Sequence, residues 1–209
     1  MAETYPLTLP THTGVSQVEI TASNVVAISE SPFTLSQQVV RHAGERWSAI
    51  ITIPPVKRVD AEYWNSFFLR LRGKFGTFLL GDPSSATPRG SASATPGTPL
   101  VNGGSQTGNE LNIDGLPTSV TGYLLAGDYI QLGSGSTARL YKVLQDVNSN
   151  ASGQATLNLW PNLRTSPTDN SAVVVSNARG VFRLSANDAT WSVNNAGLYS
   201  ISFAAMESL

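Results

Sequence analysis

The residues able to do covalent or metal chemistry are few in this sequence. It holds two histidines, no cysteine and 14 carboxylates among 209 residues. Without thiolates, a zinc site would have to be built from histidine and carboxylate ligands at short spacing. His12 lies in a Pro/Thr-rich segment and His42 at an expected strand-to-strand turn, and neither has such companions. The carboxylates are scattered, with no calcium-loop pattern, no H-E-x-x-H, no G-x-S-x-G elbow and no phosphate-binding glycine loop. Asp128 and Asp146 are the pair that would act as acid and base on a glycosidic bond if the fold brought them together. Gly127-Asp128 reads more simply as a tight turn. These residues point away from an enzyme and indicate no cofactor and no metal.

Binding chemistry offers more. Lys57, Arg58, Arg70, Arg72 and Lys74 gather five cations around Asp60 and Glu62, a candidate contact for an acidic subunit face or nucleic acid. A solvated helix end is the plainer reading of the same cluster. Asp82 and Arg89 are the two charges in residues 81–108, and they join the candidate assembly contacts. Tyr129 and Trp160 are candidates for a sugar-stacking platform, with Trp160 also suited to a core edge. Charged residues make up 13% of the chain and the formal net charge is −1, where about 25% charged is usual. That balance leaves nothing to neutralise a phosphate backbone, and 41% hydrophobic residues argue against disorder. A weakly charged surface of Ser, Thr, Asn, Gln and Gly suits a chain that packs against neighbours, because charges are costly to desolvate in an interface.

The elements that would position these groups are mostly strands. Val15–Ala22 alternates, Asn24 breaks the pattern, and Val25–Ser29 resumes it. Ser31-Pro32 marks a turn, Phe33–Val40 and Arg46–Ile53 read as further strands around a turn at His42–Glu45, and Pro54-Pro55 ends the run. Trp64, Phe67, Phe68 and Leu71 fall at i, i+3, i+4, i+7, the core stripe of a helix over Ala61–Arg72 with Asp60 as cap and Gly73 beyond its end. Lys74–Leu80 reads as a strand. Gly81–Gly108 is rich in Ser, Thr, Pro and Gly and reads as a long loop or linker, with a domain boundary near Thr95–Leu100. This stretch is expected to be protease-sensitive in the isolated chain and ordered by neighbours.

Short strands follow at Glu110–Asp114, Leu124–Leu132, Ala138–Val147, Gln154–Trp160 and Ala172–Ser176, enough for a small barrel. Val181–Ser185, Asp188–Val193 and Leu198–Met206 return to the first pattern, and the last is long enough to need a partner strand. The fold class expected is mainly β: an N-terminal β-sandwich with one α-helix, completed by C-terminal strands and carrying an inserted small β-barrel. The division is residues 1–95 plus 181–209 for the sandwich and 96–180 for the insert. The N-terminus lacks a signal-peptide pattern and no apolar run reaches the ~20 residues of a membrane span, so synthesis in the cytoplasm is expected.

Two stretches carry a resemblance. One is Leu69–Gly90, L-R-L-R-G-K-F-G-T-F-L-L-G-D-P-S-S-A-T-P-R-G. The other is Leu125–Arg164, with A-G-D-Y-I-Q-L-G, R-L-Y-K-V-L-Q-D-V and G-Q-A-T-L-N-L-W-P-N-L-R, closed by R-G-V-F-R-L at Arg179–Leu184. Together they resemble the distal tail proteins of long, flexible-tailed bacteriophages. The resemblance implies a hexameric ring at the tail tip, made by the sandwich domain, with an OB-like or galectin-like domain projecting outward. It implies the tail tube protein above, hub, baseplate and receptor-binding proteins below, and DNA only as cargo in the lumen. The short insert favours a small barrel over a full galectin sandwich. A receptor- or carbohydrate-binding module of the tail tip is the alternative reading.

Overall fold

A computed structural model describes residues 3–209; Met1 and Ala2, part of the N-terminal reading, lie outside the described residues. The chain runs through β1 (Gln17–Glu30), β2 (Gln37–Lys57), α1 (Arg58–Leu71) and β3 (Phe78–Leu80). The middle holds β4 (Leu100–Val101), β5 (Glu110–Asp114), β6 (Tyr129–Leu132), β7 (Arg139–Val143), β8 (Ala155–Trp160) and β9 (Val173–Val174). It closes with β10 (Gly180–Leu184), β11 (Trp191–Val193) and β12 (Leu198–Glu207). The class is mainly β with one α-helix, a sandwich-type module bearing a nearly closed barrel, as the sequence indicates.

The first sheet has the order β1-β2-β12-β10-β3, with β11 paired to β12. The C-terminal strand β12 therefore sits inside the sheet, between β2 and β10, which meets its need for partners. Trp64, Phe67, Phe68 and Leu71 of α1 are buried against this sheet in one core with Ile51, Ile53, Phe78 and Phe182. The second sheet has the order β4-β5-β8-β7-β6-β9 and a separate core around Leu111, Ile113, Ile130, Tyr141, Leu157 and Leu159. Gly180 pairs with Leu80 across β10 and β3. The chain thus leaves the first sheet and returns to it at opposed positions, which lets a whole barrel be inserted without disturbing the pairing.

Several expected elements differ. The four short N-terminal strands are two long ones, of 14 and 21 residues, paired as one antiparallel hairpin. Asn24 does not end a strand: the register slips between Ser23 and Val25, and the extra residues at 43–45 are absorbed as a bulge within β2. The expected strand at Phe33–Val40 starts only at Gln37, because Phe33 and Leu35 lie in the turn closed by Ser31 N–H to Ser36 O at 3.0 Å. Pro54 and Pro55 do not stop β2. They face a register shift between Tyr199 and Ile201, where the missing N–H groups break no regular pairing.

The helix begins at Arg58 rather than Ala61, so Asp60 stands in its first turn, and Lys57 occupies the cap without a side-chain bond. Arg72 ends it in the left-handed region at φ 51°, donating its N–H to Leu69 O. The strand expected from Lys74 is confined to β3, since Gly76 N–H turns back to Leu71 O at 2.7 Å. Other expected strands are shorter, most clearly at β6, β7, β9 and β11.

The stretch 81–108 is not a loose linker. It makes two 3-10 turns, at Pro83–Ser85 and Ser91–Ser93. Ser91 and Ala92 N–H donate to Gly122 O and Tyr123 O at 2.9 and 3.0 Å. Ala92 is buried in the barrel core. Its order comes from its own chain.

Candidate functional site

Two features stand apart from ordinary packing: a projecting arm and the junction from which it springs. Beyond Ser23 the β1–β2 hairpin has every residue from Thr21 to Glu30 exposed. Ile28 pairs with Val39, and the next pair, Ala27 with Val40, points to the opposite face. Val25, Val26, Ile28, Val39 and Val40 are all exposed, and at the tip Phe33 is 93% and Leu35 70% exposed. A two-stranded ribbon with apolar residues on both faces is marginal in water by itself. Such exposed apolar surface marks a protein contact.

The junction is built by two carboxylates. Glu207, on β12, is buried; it accepts Arg164 at 2.7 and 3.3 Å and the Trp47 backbone N–H at 3.1 Å. Glu45, in the β2 bulge, is buried as well. It pairs with Arg41 of the arm and accepts the Asn162 N–H at 2.7 Å. Trp47 donates from Nε1 to Leu140 O at 3.0 Å, and its ring meets Trp160 edge-on at 4.3 Å. Trp160 in turn donates to Asn24 Oδ1 at 2.9 Å. Residues 160–164 of the barrel are therefore gripped by the root of the arm and by the last strand. Charge-assisted bonds at buried sites fix geometry more than they add net stability, so this grip sets the direction of the arm relative to the barrel.

Between arm root and barrel lies a cleft of about 530 Å³, lined by Val18, Ile20, Asn24, Asp82, Lys142 and Leu144 together with Tyr129 and the two tryptophans. The two platform candidates meet here, and only Trp160 is partly exposed. Tyr129 is 5% exposed, with the Lys142 ammonium 4.6 Å over its ring and bonded to its hydroxyl at 3.2 Å. Trp160 is committed to Trp47 and Asn24.

The charged candidates are dispersed. Arg70 binds Glu3 through two bonds of 2.9 and 2.7 Å, and this holds the Glu3 carboxyl below the usual carboxylate range. Arg58 bonds Glu62 along the helix at 3.3 Å. Lys57, Arg72 and Lys74 are exposed around the two ends of α1 and make no ion pair among the described residues. Asp82 caps a 3-10 turn through Ser84 N–H and the Ser85 hydroxyl. Arg89 reaches Ala126 O at 2.8 Å.

The carboxylate pair is spent on the backbone. Asp128, 3% exposed, accepts the N–H groups of Arg89, Gly90 and Leu125, and Asp146 accepts that of Ala126 at 2.9 Å. Both organise the turn at 125–128. Burial raises the Tyr123 hydroxyl to about 12 and also raises that of Tyr141.

The barrel carries the relationship to known proteins. Residues 86–178 match the family described as distal tail protein pb9, B domain. Over this stretch the chain is similar to a domain of a phage distal tail protein. No curated protein matches it. The matched stretch takes in the 3-10 turn at Ser91–Ser93, the buried Asp128 turn and the gripped segment 160–164. No helix among the described residues is long and apolar enough to cross a membrane. The residues that sequence reasoning missed are Glu45, Trp47, Arg164 and Glu207. The available signal was a carboxylate set beside strongly apolar strand residues: Glu207 after Phe203-Ala-Ala-Met, and Glu45 before Arg46-Trp47.

Proposed function

We propose that this chain is a structural protein of the phage tail tip that closes into a ring, of six copies, around a lumen through which DNA passes. The first sheet forms the ring wall, the arm reaches the next protomer, and the distal tail barrel faces outward. The tail tube protein stacks on one side of the ring, and hub and receptor-binding proteins attach on the other, so the protein resides in the virion. The role is mechanical, not enzymatic. The observation that carries this reading is the β1–β2 arm, apolar on both faces and unsupported by its own core. A contact repeated head to tail between identical copies closes a ring when the rotation divides the circle. The low charge content agrees with a surface covered on several sides.

Replacing Val25–His42 by an Asn-Gly turn tests the proposal, because that turn can join the two root strands. The shortened protein should keep its circular dichroism and run as a monomer, while the full chain runs as a closed oligomer. A shortened protein that still forms the same oligomer would refute the role of the arm.

A further inference from the structure

The arm and the cleft at its root are complementary to each other. The cleft is open, has an apolar side formed by Val18, Ile20, Leu144 and the tryptophans beside polar Asn24, Asp82 and Lys142, and at about 530 Å³ is large enough to take several side chains. It contains one cation, Lys142, whose hydrogen-bond partner is the uncharged Tyr129 hydroxyl; Lys142 makes no ion pair among the described residues. The arm tip presents the reverse: the exposed Phe33 and Leu35, flanked by Glu30, whose carboxylate is bonded only to neutral Gln37, at 2.6 Å. Asp82, the acid in the cleft, is already held by Ser84 and Ser85.

We infer that the cleft is the socket for the arm tip of a second copy of this chain, with Phe33 and Leu35 entering beside Leu144 and Trp160 and Glu30 meeting Lys142. The inference rests on the ring reading and names the contact that closes it. The arm cannot fill its own cleft. From Asn24 at the root to the end of β1 is six residues, so the tip stands about 20–25 Å away along a paired ribbon. The contact is therefore between copies, tip to root, and each copy offers one of each. In a ring of six, neighbouring equivalent points are separated by their distance from the axis. A step of about 20–25 Å places the contacts at a comparable radius from the axis.

The absence of cysteine in the sequence makes a direct test clean. One preparation carries Phe33→Cys and a second Leu144→Cys; both positions are exposed, so neither change disturbs the core. Mixed and oxidised, they should give a covalent dimer, and the double variant in one chain should give a ladder ending at the ring size. Phe33→Cys with Tyr63→Cys, an exposed site on α1, should give none. Phe33→Ala should raise the concentration needed for assembly by about tenfold or more, as for loss of a buried aromatic anchor. Lys142→Glu should weaken assembly, and Glu30→Lys combined with Lys142→Glu should restore it. Rings without a 33–144 cross-link would overturn the socket and leave the ring reading standing. Absence of any ring in the full chain would overturn both.

Discussion

Glu207→Ala removes the acceptor shared by Arg164 and the Trp47 N–H. The Glu207 side chain is 1% exposed and that of Arg164 13%. The substitution therefore leaves a guanidinium largely out of water without a counter-charge, and a buried N–H without an acceptor. Breaking a buried pair by deleting one partner costs about 3–5 kcal/mol. For a chain of this length each kcal/mol lowers the melting temperature by about 2–4 °C, so a fall of about 6–20 °C is expected in calorimetry. Arg164→Leu added to Glu207→Ala removes the stranded charge and should recover at least half of that loss, the excess measuring the coupling. A single variant melting within about 2 °C of the parent, or a double variant no better than the single, would refute the view that this pair clamps barrel to sheet.

Other outcomes follow from the same contacts. Trp160→Phe keeps the stack on Trp47 and loses the bond to Asn24, and should cost about 1 kcal/mol in chemical denaturation. Gly90→Ala would drive its Cβ into the Tyr123 carbonyl and should cost about 1–3 kcal/mol by the same assay. Tyr123 ionises near 12 when folded and near 10 when unfolded. Its contribution is complete below pH 10 and is lost as pH rises toward 12. That loss is on the order of 2–3 kcal/mol, and a Tyr123→Phe protein should lack this part of the alkaline decline. Limited proteolysis of the isolated chain should cut at the arm tip, residues 31–36, and spare 83–95, whose backbone is bonded to the barrel.

What was legible in the sequence was whatever repeats along the chain. The stripe Trp64–Leu71 recurs at helical spacing because one face of α1 meets a sheet, and Leu157 and Leu159 alternate because one face of β8 meets the barrel core. The arm was cut into short pieces because its tip carries turn chemistry at Ser31-Pro32, while the bulge after Ser23 mimics a strand end. Residues 81–108 looked like a linker because their order comes from backbone N–H groups bonded to Asp128 and to Gly122 and Tyr123 carbonyls, partners that no local pattern announces. The junction was hidden for the same reason: Glu45 and Asn162 are 117 residues apart, and Trp47 and Glu207 are 160 apart. Tyr129 and Trp160 stand out by residue type, yet Tyr129 is buried under Lys142 and Trp160 packs edge-on with Trp47.

The central claim is that identical copies close on one another through the arm. The mass of the purified 209-residue protein across micromolar concentrations tests it most directly. The account predicts a single closed species of six chains of 22.1 kDa, seen as rings with a central hole in negative stain. A protein that stays monomeric throughout that range would contradict it.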